Sequence, residues 1–306
     1  MINFRYHMVS LAAVFLALAV GAVFGTAAAN GLASDVLSDS LDAAHKANKQ
    51  LRQTADDLQV EASHKDDYIN ETAPAVLRSM LVGRRVVVVT TPSGREHADG
   101  VIEKLELAGA AVTGPIDMQE AFFNPKDKLD LLALTRSSAP SSTLPANSDG
   151  VETASALLAK VLLAPDPPGA PLVASRSTVL SAYADAGYLT APKRIDGPAD
   201  AAVLVTGAAY VEQDSADRNR AIVTMAAQLG TAGRTVLAGT AVGDGSAIET
   251  VRGDEALTGR ISTVDGVAGA QGHVVTALAL AERIAADRVG SYGTADGADA
   301  LTPRQR

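Results

Sequence analysis

Residues 9–29 are consecutive and uncharged, and this run constrains the chain more than any other stretch. A helix rises 1.5 Å per residue, so the run spans roughly 30 Å, the thickness of a bilayer's hydrocarbon core. Residues 1–30 are therefore predicted to form a membrane anchor or uncleaved signal helix. A cleaved secretory signal is the competing reading. Arg5 and His7 make a basic start, and Ala27, Ala28 and Ala29 before Asn30 resemble a small-residue cleavage site. Against cleavage, the run is longer than the ~7–15 residues of a usual signal core. Both readings export the remainder, because Arg5 and the terminal amine flank one end while Asp35, Asp39 and Asp42 follow the other. Positive charge favours the cytoplasmic side.

Within the run, Ala13, Ala17, Gly21 and Gly25 recur every fourth residue. A row of small residues lets two transmembrane helices approach closely, so these positions are the expected helix-pairing face.

Residues 31–74 turn polar while keeping helix-favouring composition, with no proline or glycine between Leu32 and Ala73. Leu41, Asn48, Ala55, Ala62 and Ile69 fall at a positions of a heptad pattern, with Leu37, Ala44, Leu51, Leu58 and Lys65 at d. A coiled-coil stalk is one expectation, and Asn48 at an a position would set its register and favour two strands. A lone amphipathic helix packed on the body is the other. Pro74 is expected to end the segment.

Beyond the stalk, short β-branched runs alternate with helical spacing. Residues 83–92 (GRRVVVVTTP) read as a strand, 96–107 as a helix and 110–116 as the next strand, a βαβ unit with parallel pairing. Helices are expected over 129–134 and 151–163, and APDPPGAP over 164–171 reads as a boundary. The pattern resumes with a helix over 178–189, a strand over 201–206, a helix over 215–229 and a strand over 234–239. A further strand over 261–264 and a helix over 272–285 close the series. The expectation is a three-layer α/β body with a mostly parallel sheet, in halves 75–165 and 166–290, followed by a polar tail over 291–306.

Composition narrows the function. The 306 residues carry a net charge of −9, with no Lys/Arg-rich patch to neutralise phosphates, which argues against nucleic acid as a partner. The absence of cysteine removes disulfides, thiolate metal sites and thiol catalysis. The loop after the first strand lacks a nucleotide-binding spacing, and residues 239–245 are glycine-rich without Lys or Arg. Neither G-x-S-x-G nor H-E-x-x-H occurs, so no enzyme is indicated. Gly266, Gly269 and Gly272 lie between an expected strand and helix, and with His273 they form a weak anion-site candidate through exposed N–H groups. An ordinary structural loop is the alternative. The five histidines and five methionines are dispersed, so no resident cofactor and no copper-ligand cluster is visible.

Several landmarks together resemble the actinobacterial MctB family, the mycobacterial copper transport protein B group. They are YHMVSLAAVFLALAVGAVFG, the adjoining stalk, GRRVVVVTTP, AAVLVTG, ISTVDG, VVTALAL and GSYGT. The resemblance covers nearly the whole chain. It implies copper efflux and homeostasis in the cell envelope, with copper as the transported ion and an outer-membrane location. Aromatic residues make up only 4% of the chain, and the βα alternation is not the pattern of a transmembrane β-barrel. A pore would need several copies of the N-terminal helix, so a homo-oligomer through helix and stalk is expected. A noncatalytic envelope scaffold whose body binds a protein or wall partner is the alternative.

Overall fold

The computed structural model describes residues 4–140, 143–163, 176–192, 195, 197–241 and 244–304, with 4–6 and 27–39 described as helical backbone alone. The chain divides into two compact units, Met1–Lys65 and Asp66–Arg306. The boundary expected over 164–171 lies outside the described residues.

The first unit is helical, the greater part of α1 (Phe4–Leu77). Its stretch His7–Thr26 has a mean hydropathy of 2.4 and no protein covering it. It is long and apolar enough to cross a membrane, and its backbone hydrogen bonds are satisfied within the helix. Residues 40–65 are exposed as well, including the seam residues Leu41, Leu51 and Leu58.

In the second unit α1 continues through Pro74 instead of ending there. A proline inside a helix costs about 3 kcal/mol relative to alanine. Ala73 and Leu77, either side of it, are almost wholly buried, and a buried leucine contributes about 1.5–3 kcal/mol, so packing holds the last turn in place. Ile69, expected in the stalk seam, packs against this same core.

The elements that follow are β1 (Arg85–Thr90), α2 (Arg95–Leu107), β2 (Ala111–Val112), β3 (Ile116–Met118), α3 (Glu120–Phe123), α4 (Lys128–Ser138), α5 (Gly150–Leu163) and α6 (Arg176–Asp185). Then come β4 (Leu189–Thr190), β5 (Ala201–Val205), α7 (Ser215–Ala232), β6 (Arg234–Ala238), α8 (Ala247–Arg252) and α9 (Glu255–Thr258). The last are β7 (Ile261–Val264), α10 (Ala270–Ala286) and β8 (Ser291–Tyr292). One sheet joins both expected halves in the order β4-β3-β1-β5-β6-β7-β8, with β2 also paired to β1. Only the β3–β4 pairing is antiparallel among the described strands.

The sheet separates two cores, and the pleat sorts residues between them. Val86, Val88, Ala201, Val203 and Val205 face α2, α10 and the end of α1. Val87, Val89, Ala202 and Leu204 face the layer containing α4, α5 and α7. Both faces are covered, which is why these strands read as continuous apolar runs.

Three further expectations are corrected. The strand expected over 110–116 divides into β2 and β3, both on β1, because Pro115 cannot donate to the ladder and Gly114 approaches the backbone of β1 closely. The helix expected over 178–189 stops at Asp185. Gly187, at φ +78°, turns the chain so that Leu189 and Thr190 form β4. The expected polar tail supplies β8, whose Ser291 and Tyr292 are buried beside β7.

Candidate functional site

In an open parallel sheet, ligands bind at the carboxyl ends of strands where the strand order reverses. Here that point lies between β1 and β5, since the chain runs from β1 outward to β3 and then returns to the other side of β1. The crevice is closed. The Thr91 N–H donates to Val205 O at 2.9 Å, Thr91 Oγ1 donates to Thr206 Oγ1 at 3.2 Å, and the Gly207 N–H donates to Ser93 Oγ at 3.2 Å. A β-carbon added at Gly94 would fall 2.3 Å from Val205 O, and one at Gly207 would fall 2.0 Å from Ser93 O. Gly94 and Gly207, without side chains, let the two loops touch.

Beside this point Glu120 accepts from Arg218 Nη1 at 2.8 Å and from the Tyr210 hydroxyl at 3.1 Å, and the guanidinium lies 5.0 Å from the centre of the Tyr210 ring. Burial, reinforced by Glu120, pushes the Tyr210 hydroxyl well above its ordinary pKa. The cluster spends its charges on itself, and no sequence motif marks it. An open hollow of about 610 Å³ is lined by Arg136, Pro145, Asn147 and Thr153, and its guanidinium already donates to Asn147 O at 3.3 Å.

The loop of the anion-site candidate joins β7 to α10. Gly269 caps α10 and Gly266 adopts φ +77°. Gly272 packs so tightly that an added β-carbon would fall 2.3 Å from Gly266 O. The Ala270 N–H donates to Asp66 Oδ1 at 3.0 Å, so a carboxylate of this chain already sits at the helix start. His273 does not join it. Its Nε2 lies 2.8 Å from Val267 O, and its ring lies against Gly100 of α2. Burial pushes the imidazole below its ordinary pKa, and the bond to Val267 only partly opposes this.

Asp265, the aspartate of ISTVDG, is the residue that reading by motif underrates. Its carboxylate pairs with Arg252 Nη2 at 2.9 Å and accepts from the Thr294 N–H at 2.8 Å and the Ala295 N–H at 3.2 Å. Arg252 also donates to Thr263 Oγ1, Tyr292 O and Asp296 O. The two C-terminal landmarks, ISTVDG and GSYGT, are thus one clamp that carries no exposed chemistry.

Met118 and Met225 are buried in one core, Met8 is exposed on the apolar helix, and His45 and His64 are exposed. Among the described residues no three or more His, Asp or Glu gather to hold a metal ion. Ala13, Ala17, Gly21, Gly25 and Asn48 are exposed on α1, and a β-carbon added at Gly21 or Gly25 would meet nothing within 4 Å.

Comparison with known proteins matches residues 1–303 to the family described as copper transport outer membrane protein, MctB. Proteins named copper transporter MctB from Mycobacterium bovis and Mycobacterium tuberculosis are 35% identical over 328 aligned positions, covering all of both chains. The protein of that name from Mycobacterium leprae is 34% identical over 331 positions, again covering all of both. Landmarks, apolar helix and full-length similarity agree, and the chain belongs to the MctB family.

Proposed function

We propose that this chain serves copper transport and homeostasis at the cell envelope, with copper as cargo rather than as a resident cofactor. The observation that carries this reading is the family match over residues 1–303, which includes the apolar helix, the stalk and the body alike. The apolar stretch His7–Thr26 supports a single span, and the charges flanking it favour a cytoplasmic N-terminus and an exported body.

Passage of an ion across a bilayer by one such helix is not physically available, because a lone helix encloses no path. Self-association is therefore part of the proposal. The small-residue row Ala13, Ala17, Gly21 and Gly25 provides the pairing face, and the exposed heptad residues from Leu41 to Ala62 provide a stalk seam with Asn48 as its register residue. The outer-membrane placement rests on the family's description.

A second reading, a noncatalytic scaffold whose body binds an envelope protein or wall partner, draws on the closed crevice between β1 and β5. The closed crevice also weighs against catalysis at the usual place for this architecture. Copper tolerance of cells lacking the protein separates the two. Transport requires a lowered tolerance restored by the intact gene, and scaffolding alone leaves tolerance unchanged.

A further inference from the structure

Leu77 and Leu81 are wholly buried, whereas Val76, Met80 and Val82, their neighbours in the chain, remain exposed. The segment that follows α1 turns back onto the end of α2. The Leu81 N–H donates to Ala108 O at 2.9 Å, and Val82 lies so close to Gly109 that a β-carbon added there would fall 2.7 Å from Val82 Cγ2. Leu107, next to Ala108, is exposed as well. Val76, Met80, Val82 and Leu107 therefore border one spot, where α1 and α2 both end. Single apolar residues on a surface are ordinary, but a contiguous group of them marks a surface that a partner covers.

The rim of this patch carries charge of both signs. Arg78 and Arg84, exposed in the segment after α1, supply the positive part, and Glu106, exposed beside Leu107 on α2, supplies the negative part. Among the described residues the side chains of these three take part in no ion pair. An anionic lipid surface or a polyanion selects a rim of positive charge alone. A rim of both signs is complementary to itself, which suits a surface that meets its own copy across a two-fold axis.

We propose that two copies of the body meet through this patch, with Val76, Met80, Val82 and Leu107 at the centre and Arg78 and Arg84 of each copy facing Glu106 of the other. The patch is small, since a standard interface covers about 800 Å² of each partner and so few side chains fall short of that. It suffices for bodies already held together. The stalk pairing proposed above supplies this, because it turns the meeting of two molecules into an intramolecular step. Val76 is also the next a position after Ile69 in the heptad series, so the patch prolongs the stalk seam. The inference thus rests on the self-association reading and names where the bodies touch.

The chain has no cysteine, so single introduced cysteines report which residues of two copies lie together. Full-length protein in membranes is treated with a short bis-maleimide in three variants. Val82→Cys probes the patch, Leu58→Cys probes the stalk seam, and Leu129→Cys is the control, a residue 77% exposed on α4 in the layer on the other side of the sheet. All three positions are exposed, so the substitutions leave the cores intact. Val82→Cys is expected to give covalent dimer several times faster than Leu129→Cys. Adding Glu106→Arg is expected to slow it, and adding Arg78→Glu and Arg84→Glu to that chain is expected to restore the rate. A rate at Val82 no higher than at Leu129 overturns the interface, whether lipid or another protein covers the patch. A rate untouched by Glu106→Arg overturns the charged rim. Linking at Leu58 without linking at Val82 removes the patch and leaves the stalk, whereas linking at Val82 without linking at Leu58 removes the stalk and leaves the patch.

Discussion

Arg252 Nη2 and Asp265 Oδ2 stand 2.9 Å apart, with their side chains only 4% and 3% exposed. The pair joins the end of α8 to the end of β7, and its remaining hydrogen bonds hold the segment after β8. Breaking a buried pair from one side leaves a charge without its partner, at a cost of about 3–5 kcal/mol. Asp265→Asn is expected to lose that much stability in urea denaturation. Arg252→Lys is expected to lose most of it too, because an ammonium cannot reproduce the guanidinium fork. A midpoint within error of the wild type would refute the clamp.

Closure of the crevice makes an independent prediction. A methyl group at residue 207 would fall 2.0 Å from Ser93 O, a backbone atom that cannot step aside alone. Gly207→Ala is expected to destabilise the body by about 1–3 kcal/mol, as overpacking does. An unchanged melting curve would mean that the two loops part readily and that the crevice can open.

The alternation of layers was legible in the sequence because strands covered on both faces leave continuous apolar runs such as VVVV at residues 86–89. The turn at Gly187 and the division at Pro115 were less legible, since each depends on how the chain meets a neighbouring strand rather than on local periodicity. Tyr292 falls in the expected tail because one buried aromatic in a polar stretch gives no periodic signal. Gly266, Gly269 and Gly272 mark the turn between β7 and α10. What the sequence could not show is that Asp66, distant along the chain, occupies its helix start. Asp265 lies within ISTVDG, yet its partner Arg252 lies in no motif.

His273 gives the body a pH dependence of definite sign. Burial lowers its folded pKa below the ordinary value, so the unfolded chain takes up a proton first as pH falls. Stability from this residue is present above the unfolded pKa of about 6.5 and is lost as pH drops through and below it. Asp66, His97 and Lys104 face the same ring and contribute to the total, so the comparison is with His273→Gln. The wild type is expected to lose more stability than the variant between neutral and mildly acidic pH in paired denaturation series, and parallel curves would contradict this.

Asn48 tests the stalk. If its exposed face pairs with a second copy, Asn48→Leu removes the polar residue that restricts strand number and register, at a gain in stability. The solubilised protein is expected to change mass in light scattering or to resist thermal dissociation, whereas an unaltered mass and melting point would count against a coiled coil.

Copper content per cell, measured by elemental mass spectrometry in a strain lacking this protein, tests the central claim most directly. The expected result is a raised copper level, returned to normal by the full chain and not by a chain without residues 1–30. A copper level indistinguishable from the parent strain under copper stress would contradict a role in copper transport.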